Sequence, residues 1–164
     1  VRIQARILLE ELLPQVENQY NVSTQPTGRA MAGLSMGGAE SMHTGLNHLE
    51  TFAWLGSFSG AFNNWPLTRP TRNAAVGGGP RFTLVESKLP AQFPKLDAES
   101  NAQIKLLWIA CGTADFGALP TNRQFKTYLD SKGVKVTYTE TPDIGHVWPF
   151  WRQNLSDFAQ LLFR

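Results

Sequence analysis

Hydrophobic positions along this chain alternate between helical spacing and short unbroken runs. From Arg2 to about Tyr20, the residues Ile3, Ile7, Leu8, Leu12 and Val16 fall near helical spacing, so the pattern predicts an amphipathic helix, with Pro14 a candidate kink. Arg29–Leu34 is a short apolar strand pattern, followed by a small-residue helix from Met36 to about Leu46. Phe52–Ser59 is apolar almost throughout, which predicts a strand buried on both faces, as in a parallel sheet. Ile104–Cys111 predicts a third strand, and Leu119 to about Lys132 a helix ended by Gly133 as a left-handed cap. Val134–Thr139 alternates as a fourth strand, and Trp148–Phe163 closes the chain as an amphipathic helix.

Two stretches break the rhythm. Gly60–Pro80 has no sustained period and holds Asn63-Asn64-Trp65-Pro66 and Gly77-Gly78-Gly79-Pro80, as expected of a functional or mobile segment. Phe82–Ala102 reads as short helices. Strands alternating with helices predict a parallel α/β sheet with right-handed crossovers, with sites beyond the carboxyl ends of the strands. The 164 residues suit a single domain, 1–164.

Composition narrows the function classes. Hydrophobic residues make up 42% and charged residues 17%, a globular balance. A net charge of +2, without a Lys/Arg cluster beyond a pair, argues against a nucleic-acid partner. No apolar run approaches the roughly 18 residues of a membrane span, so no membrane partner is expected. The single cysteine, Cys111, excludes an internal disulfide. His43 and His48 are five apart and do not share a helical face, so no metal is expected, and the sequence calls for no cofactor. Gly77–Gly79 lacks the Lys-Ser/Thr and helix of a phosphate loop.

The chemistry collects at three strand ends. Gly33-Leu34-Ser35-Met36-Gly37 fits the Gly-x-Ser-x-Gly turn between strand and helix that raises a nucleophilic serine above a sheet. The Met36 backbone N–H then sits at a helix N-terminus, as one donor to an oxyanion. The third strand runs into Asp115, and His146 follows the fourth, giving the order Ser…Asp…His. A serine hydroxyl needs a base, and the base needs a carboxylate to hold its tautomer. Glu140 and Asp143 compete with Asp115 for the acid role; Asp143 is awkwardly close to His146 in sequence. Of the five tryptophans, Trp65 and Trp148 stand out as candidate walls of an acyl or sugar pocket, because one lies in the irregular segment and the other beside His146.

Gly33–Gly38, Trp108–Asp115 and Gly145–Arg152 together resemble the esterase D-like α/β-hydrolases, closest to bacterial feruloyl and acetyl-xylan esterases and their enterochelin-esterase-like relatives. The resemblance implies a three-layer α/β-hydrolase-type parallel sheet, truncated here to about four strands with flanking helices. It implies a serine carboxylic-ester hydrolase with Ser35 as nucleophile, Asp115 as acid, His146 as base and Met36 N–H as oxyanion donor. Its substrate would be a small feruloyl, acetyl or short-chain acyl ester, or an acylated carbohydrate. A secreted or periplasmic location is compatible with the resemblance, although no signal peptide opens the sequence. The family's N-terminal half, with further strands and a second oxyanion donor, is expected to be missing. A missing N-terminal segment or a second copy in a homodimer would then complete the sheet at Arg29–Leu34. The alternatives are an incomplete hydrolase-like domain kept for binding, or an acyltransferase on the same fold.

Overall fold

The computed structural model describes residues 2–65, 68–70 and 82–164. Strands β1 (Ala30–Leu34), β2 (Trp54–Phe58), β5 (Leu106–Gly112) and β6 (Thr137–Thr141) form one sheet in the order β1-β2-β5-β6. Every neighbouring pair is parallel. Strands β3 (Thr68–Pro70) and β4 (Phe82–Leu84) form a separate antiparallel pair. The helices are α1 (Arg2–Arg6), α2 (Leu13–Gln19), α3 (Ser35–Asn47), α4 (Leu89–Gln92), α5 (Leu119–Ser131) and α6 (Trp148–Ala159).

The pleat of β5 shows how the layers form. Leu107 and Ile109 point into one core with Leu55, with Met42 and Leu46 of α3, and with Phe125 and Leu129 of α5. Leu106, Trp108 and Ala110 alternate to the opposite face, where Phe150, Trp151 and Phe158 of α6 cover them with Phe58. The result is the expected three-layer sandwich of helices, four parallel strands and helix. All five residues of β2 are buried, as its continuous apolar run predicts.

Several boundaries differ from the sequence reading. The first helix runs on through a π-helical turn at Ile7–Leu12 instead of kinking sharply. Pro14 lies in the first turn of α2, and its missing N–H leaves no ordinary bond for the carbonyl four residues earlier. The Leu13 N–H reaches back five residues to the Leu8 carbonyl, widening the turn around that gap. The fourth strand begins at Thr137 rather than Val134. Val134 is instead a core plug after α5, with its N–H bonded to the Leu129 carbonyl. The last helix ends at Ala159, short of Phe163. β3 falls in the segment without a sustained period, whereas β4 opens the Phe82–Ala102 stretch with a strand where short helices were expected, because Phe82–Leu84 pairs with β3. The Gly77–Gly79 reading, with most of that irregular segment, lies outside the described residues.

Candidate active site

β1 delivers its chain directly into α3, and Ser35 is the first residue of that helix. Its φ of 52° lies in the left-handed region, a strained position for a residue with a Cβ. Close backbone approach makes the turn feasible. A Cβ on Gly33 would sit 2.4 Å from the Gly37 carbonyl carbon, and one on Gly38 would lie 2.7 Å from Ser57 Oγ. Gly37 has open space around the same position, so Gly33 and Gly38 are the tight pair. The Ser35 carbonyl accepts the Ala61 N–H at 2.8 Å, which ties the elbow to the loop after β2.

The acid and base come from two further loops stitched to each other. The Thr113 N–H donates to the Thr141 carbonyl at 2.9 Å, and the Ala114 N–H to the Ile144 carbonyl at 3.0 Å. The Asp143 N–H donates to Thr113 Oγ1 at 2.9 Å. This register brings His146 Nδ1 within 2.7 Å of Asp115 Oδ2, and His146 Nε2 within 2.9 Å of Ser35 Oγ. A carboxylate can only accept, so it selects the tautomer with hydrogen on Nδ1 and leaves Nε2 to accept the serine hydroxyl. Asp115 is 4% exposed, and its Oδ1 accepts the Ala118 N–H at 3.1 Å. Ser35, His146 and Asp115 are thus joined in the geometry of a serine-hydrolase triad.

The competing acids are engaged or placed elsewhere. Glu140 takes both Arg123 Nε and Nη2, at 2.7 and 2.6 Å, and the Tyr138 hydroxyl at 2.9 Å. The Arg123 guanidinium holds its carboxyl below the usual carboxylate range. Asp143 is exposed on the histidine loop. Cys111 lies buried under the acid, with Sγ 4.0 Å from Asp115 Oδ2; burial, and then the Asp115 charge, push its thiol up to about 12. The thiol therefore stays protonated beneath the triad.

A cavity of about 480 Å³ opens at the triad, with Ser35, His146, Asp115, Asn63, Asn64 and Phe116 among its walls. Neither tryptophan singled out from the sequence is in it. Trp65 is 2% exposed and packs with Phe62, Phe93 and Phe125 in the main core, with ring centroids 4.6 to 5.6 Å away. Trp148 is exposed and lies in a separate groove with Ala32, Leu34 and Leu155, in edge contact with Trp151. It is Trp151 that meets His146. Phe116 and Asn64 escaped the sequence reading, although an apolar residue directly after the candidate acid was the available signal. Met36 follows Ser35 in the first turn of α3, where backbone N–H groups have no partner within the helix. His43 packs against Trp65 and Phe93, and His48 lies 2.9 Å from Glu50. Among the described residues no cluster of His, Cys, Asp and Glu could hold a metal ion, and no helix is long and apolar enough to cross a membrane.

Known proteins share this arrangement. The chain is 28% identical to a diacylglycerol acyltransferase/mycolyltransferase, Ag85C, of Mycobacterium leprae, a match covering 88% of this chain and 52% of that protein. A CE1 ferulic acid esterase from Anaeromyces mucronatus, solved with ferulic acid, superposes with a TM-score of 0.73 at 19% identity, over 97% of this chain and 53% of that one. A ferric enterobactin esterase from Salmonella typhimurium superposes at 0.69 with 25% identity, over 96% of this chain and 35% of that one. The chain spans about half the length of the curated acyltransferase it matches. A family model described as "Putative esterase" matches residues 4–161, and the chain belongs to that esterase family of α/β-hydrolases, related to the CE1 feruloyl and enterobactin esterases.

Proposed function

We propose that this chain carries the catalytic machinery of a serine carboxylic-ester hydrolase. The observation that carries the reading is the continuous hydrogen-bond path from Ser35 Oγ through His146 to Asp115. Ser35 Oγ attacks the ester carbonyl carbon while His146 Nε2 takes its proton, and the Met36 N–H stabilises the oxyanion. The C–O bond to the leaving alcohol breaks as His146 returns that proton to it. Water then repeats the sequence on the acyl-enzyme, releasing the acid and freeing Ser35. Asp115 orients the imidazole throughout and stabilises its charged form. Feruloyl, acetyl or short-chain acyl esters, including acylated carbohydrates, are the proposed substrates, supported by the closeness to feruloyl and acetyl-xylan esterases implied by the sequence motifs.

The proposal treats residues 1–164 as one unit, the C-terminal part of an esterase domain. Among the described residues β1 pairs only with β2, so its other edge can accept a further strand. That strand would come from an N-terminal segment or from a second copy of the chain.

The relationship to a protein described as an acyltransferase favours a second reading. Both activities share the acyl-enzyme and differ only in whether water or another hydroxyl resolves it. Hydrolysis of p-nitrophenyl acetate should vanish in Ser35→Ala, and a fluorophosphonate should label Ser35 in the unaltered chain. Unchanged turnover in Ser35→Ala would sink both readings. Faster p-nitrophenol release on adding an alcohol or sugar, with the acylated acceptor as product, would favour transfer.

A further inference from the structure

The triad base stands on a loop held in shape from outside. His146 lies between the end of β6 at Thr141 and the start of α6 at Trp148, and Pro142 and Asp143 form a turn where the loop begins. Asp143 has a φ of 56°, in the left-handed region that a residue with a Cβ enters at a cost. Such a conformation persists where its surroundings hold it. Asp143 is exposed, so packing of its own side chain supplies little of that hold.

The hold comes from the segment that carries the acid. Gly112 and Thr141 pair at the ends of β5 and β6, and the two segments stay together beyond the sheet. A Cβ on Gly112 would lie 2.1 Å from the Ile144 carbonyl oxygen, so the segments meet backbone to backbone. The bonds from the Thr113 N–H to the Thr141 carbonyl and from the Ala114 N–H to the Ile144 carbonyl are main-chain bonds that most residues could make. The bond from the Asp143 N–H to Thr113 Oγ1, at 2.9 Å, depends on a side chain. It falls on the left-handed residue itself, and the branched Cβ of threonine restricts the rotamers from which Oγ1 can receive it.

His146 follows three residues after Asp143, and its ring tolerates little error. Nδ1 is 2.7 Å from Asp115 Oδ2 and Nε2 is 2.9 Å from Ser35 Oγ, so a tilt of the loop weakens both contacts at once. Thr113 is two residues before Asp115, whose N–H donates to the Gly112 carbonyl at 3.1 Å. One short turn therefore carries both the acid and the hydroxyl that steadies the base.

We propose that Thr113 is a positioning residue for the general base: its hydroxyl oxygen fixes the turn at Asp143 and thereby holds His146 between Asp115 and Ser35. The proposal rests on the reading of those last three residues as a catalytic triad. Asp143 is exposed, so water can take up its N–H when the hydroxyl is removed. What is lost is the direction of the loop, and the fold should hold.

The test uses three variants. Thr113→Val keeps the branched shape without the acceptor, Thr113→Ala removes the hydroxyl without adding apolar bulk, and Thr113→Ser keeps the hydroxyl. On p-nitrophenyl acetate, the Val and Ala variants should lose about tenfold in kcat with KM unchanged, less than the roughly 10²-fold a misplaced group can cost, because the main-chain bonds remain. Thr113→Ser should restore kcat, and the thermal midpoint should stay near that of the unaltered chain in all three. An unchanged kcat in the Val and Ala variants, a fall that Thr113→Ser does not recover, or a fall matched by loss of folded protein overturns the proposal. A second readout is independent of turnover. The chain has three histidines, and NMR follows the Cε1–H resonance of each. Thr113→Val should move the His146 resonance and leave those of His43 and His48 in place, whereas Thr113→Ser should leave all three. If the unaltered chain hydrolyses no ester, the hydrolase reading fails by itself and this spectrum decides the role of Thr113. A His146 resonance unmoved in Thr113→Val refutes it.

Discussion

The ring of Trp151 stands almost perpendicular to that of His146, with centroids 4.8 Å apart and planes at 84°. Trp151 is nearly buried in the core between α6 and the sheet, so the general base rests on a residue that also holds the fold together. Trp151→Ala should cost about 3–5 kcal/mol of stability, the range for buried aromatic truncations, and slow ester turnover further by freeing the imidazole. Urea unfolding and kcat measured on the same preparation check both effects. Trp148→Ala removes an exposed side chain outside the Ser35 cavity and should leave p-nitrophenyl acetate hydrolysis within a factor of about two.

Asp115→Asn is the sharpest probe of the relay. An amide can still accept the Ala118 N–H, so the turn should persist and thermal stability should change little. Its NH₂ faces His146 Nδ1 equally well and would favour the wrong tautomer. Turnover should fall by about 10⁴-fold. A loss of less than tenfold would show that another carboxylate serves the histidine.

The two sides of the elbow should respond unequally to a single methyl group. Gly37→Ala meets open space and should yield a folded protein that a fluorophosphonate still labels. Gly33→Ala drives a Cβ into the backbone at Gly37 and should abolish labelling through a displaced Ser35. Labelling of both variants to the same extent would remove the packing argument for the turn.

Asn122 is fully buried, and its Nδ2 donates to the Gly60 carbonyl at 2.7 Å and the Ala118 carbonyl at 2.9 Å. It joins the loop after β2 to the start of α5, two walls of the cleft. Asn122→Ala leaves buried acceptors without that donor and should cost about 1–3 kcal/mol, read from a urea titration.

The Cys111 thiol titrates near 9 when unperturbed and is pushed up to about 12 by burial and the neighbouring Asp115. With the folded value above the unfolded one, its contribution to stability is whole below pH 9 and is lost as pH rises toward 12. Stability should therefore fall more steeply over that interval than in Cys111→Ala. Iodoacetamide should leave the native thiol unmodified at pH 8 and react after unfolding.

Much of this arrangement was legible because its signals are periodic or fixed in order. The unbroken apolar run at Phe52–Ser59 can hardly be anything but a buried strand, and three polar residues past three strand ends can be placed before any contact is known. Tryptophan gave no such handle, since core and pocket both select large aromatic side chains. Trp65 lies in the core because Phe93 and Phe125, from elements distant in sequence, converge on it together with the neighbouring Phe62. Val134 looked like the first residue of a strand, yet it plugs the core from a turn, and alternation does not distinguish the two. Glu140 was separated from the acid role by Tyr138, two residues away on the same strand, and by Arg123, a contact that depends on how α5 lies over β6.

Among the described residues the nucleophile is carried by an edge strand, β1, with one ladder neighbour, whereas β2 and β5 each have two. Opening β1 breaks one set of strand bonds, so its amides should exchange with deuterium faster than those of β2. On warming, Ser35 should lose its alignment with His146 while the sheet behind it is still intact, and catalytic failure should precede the cooperative melt.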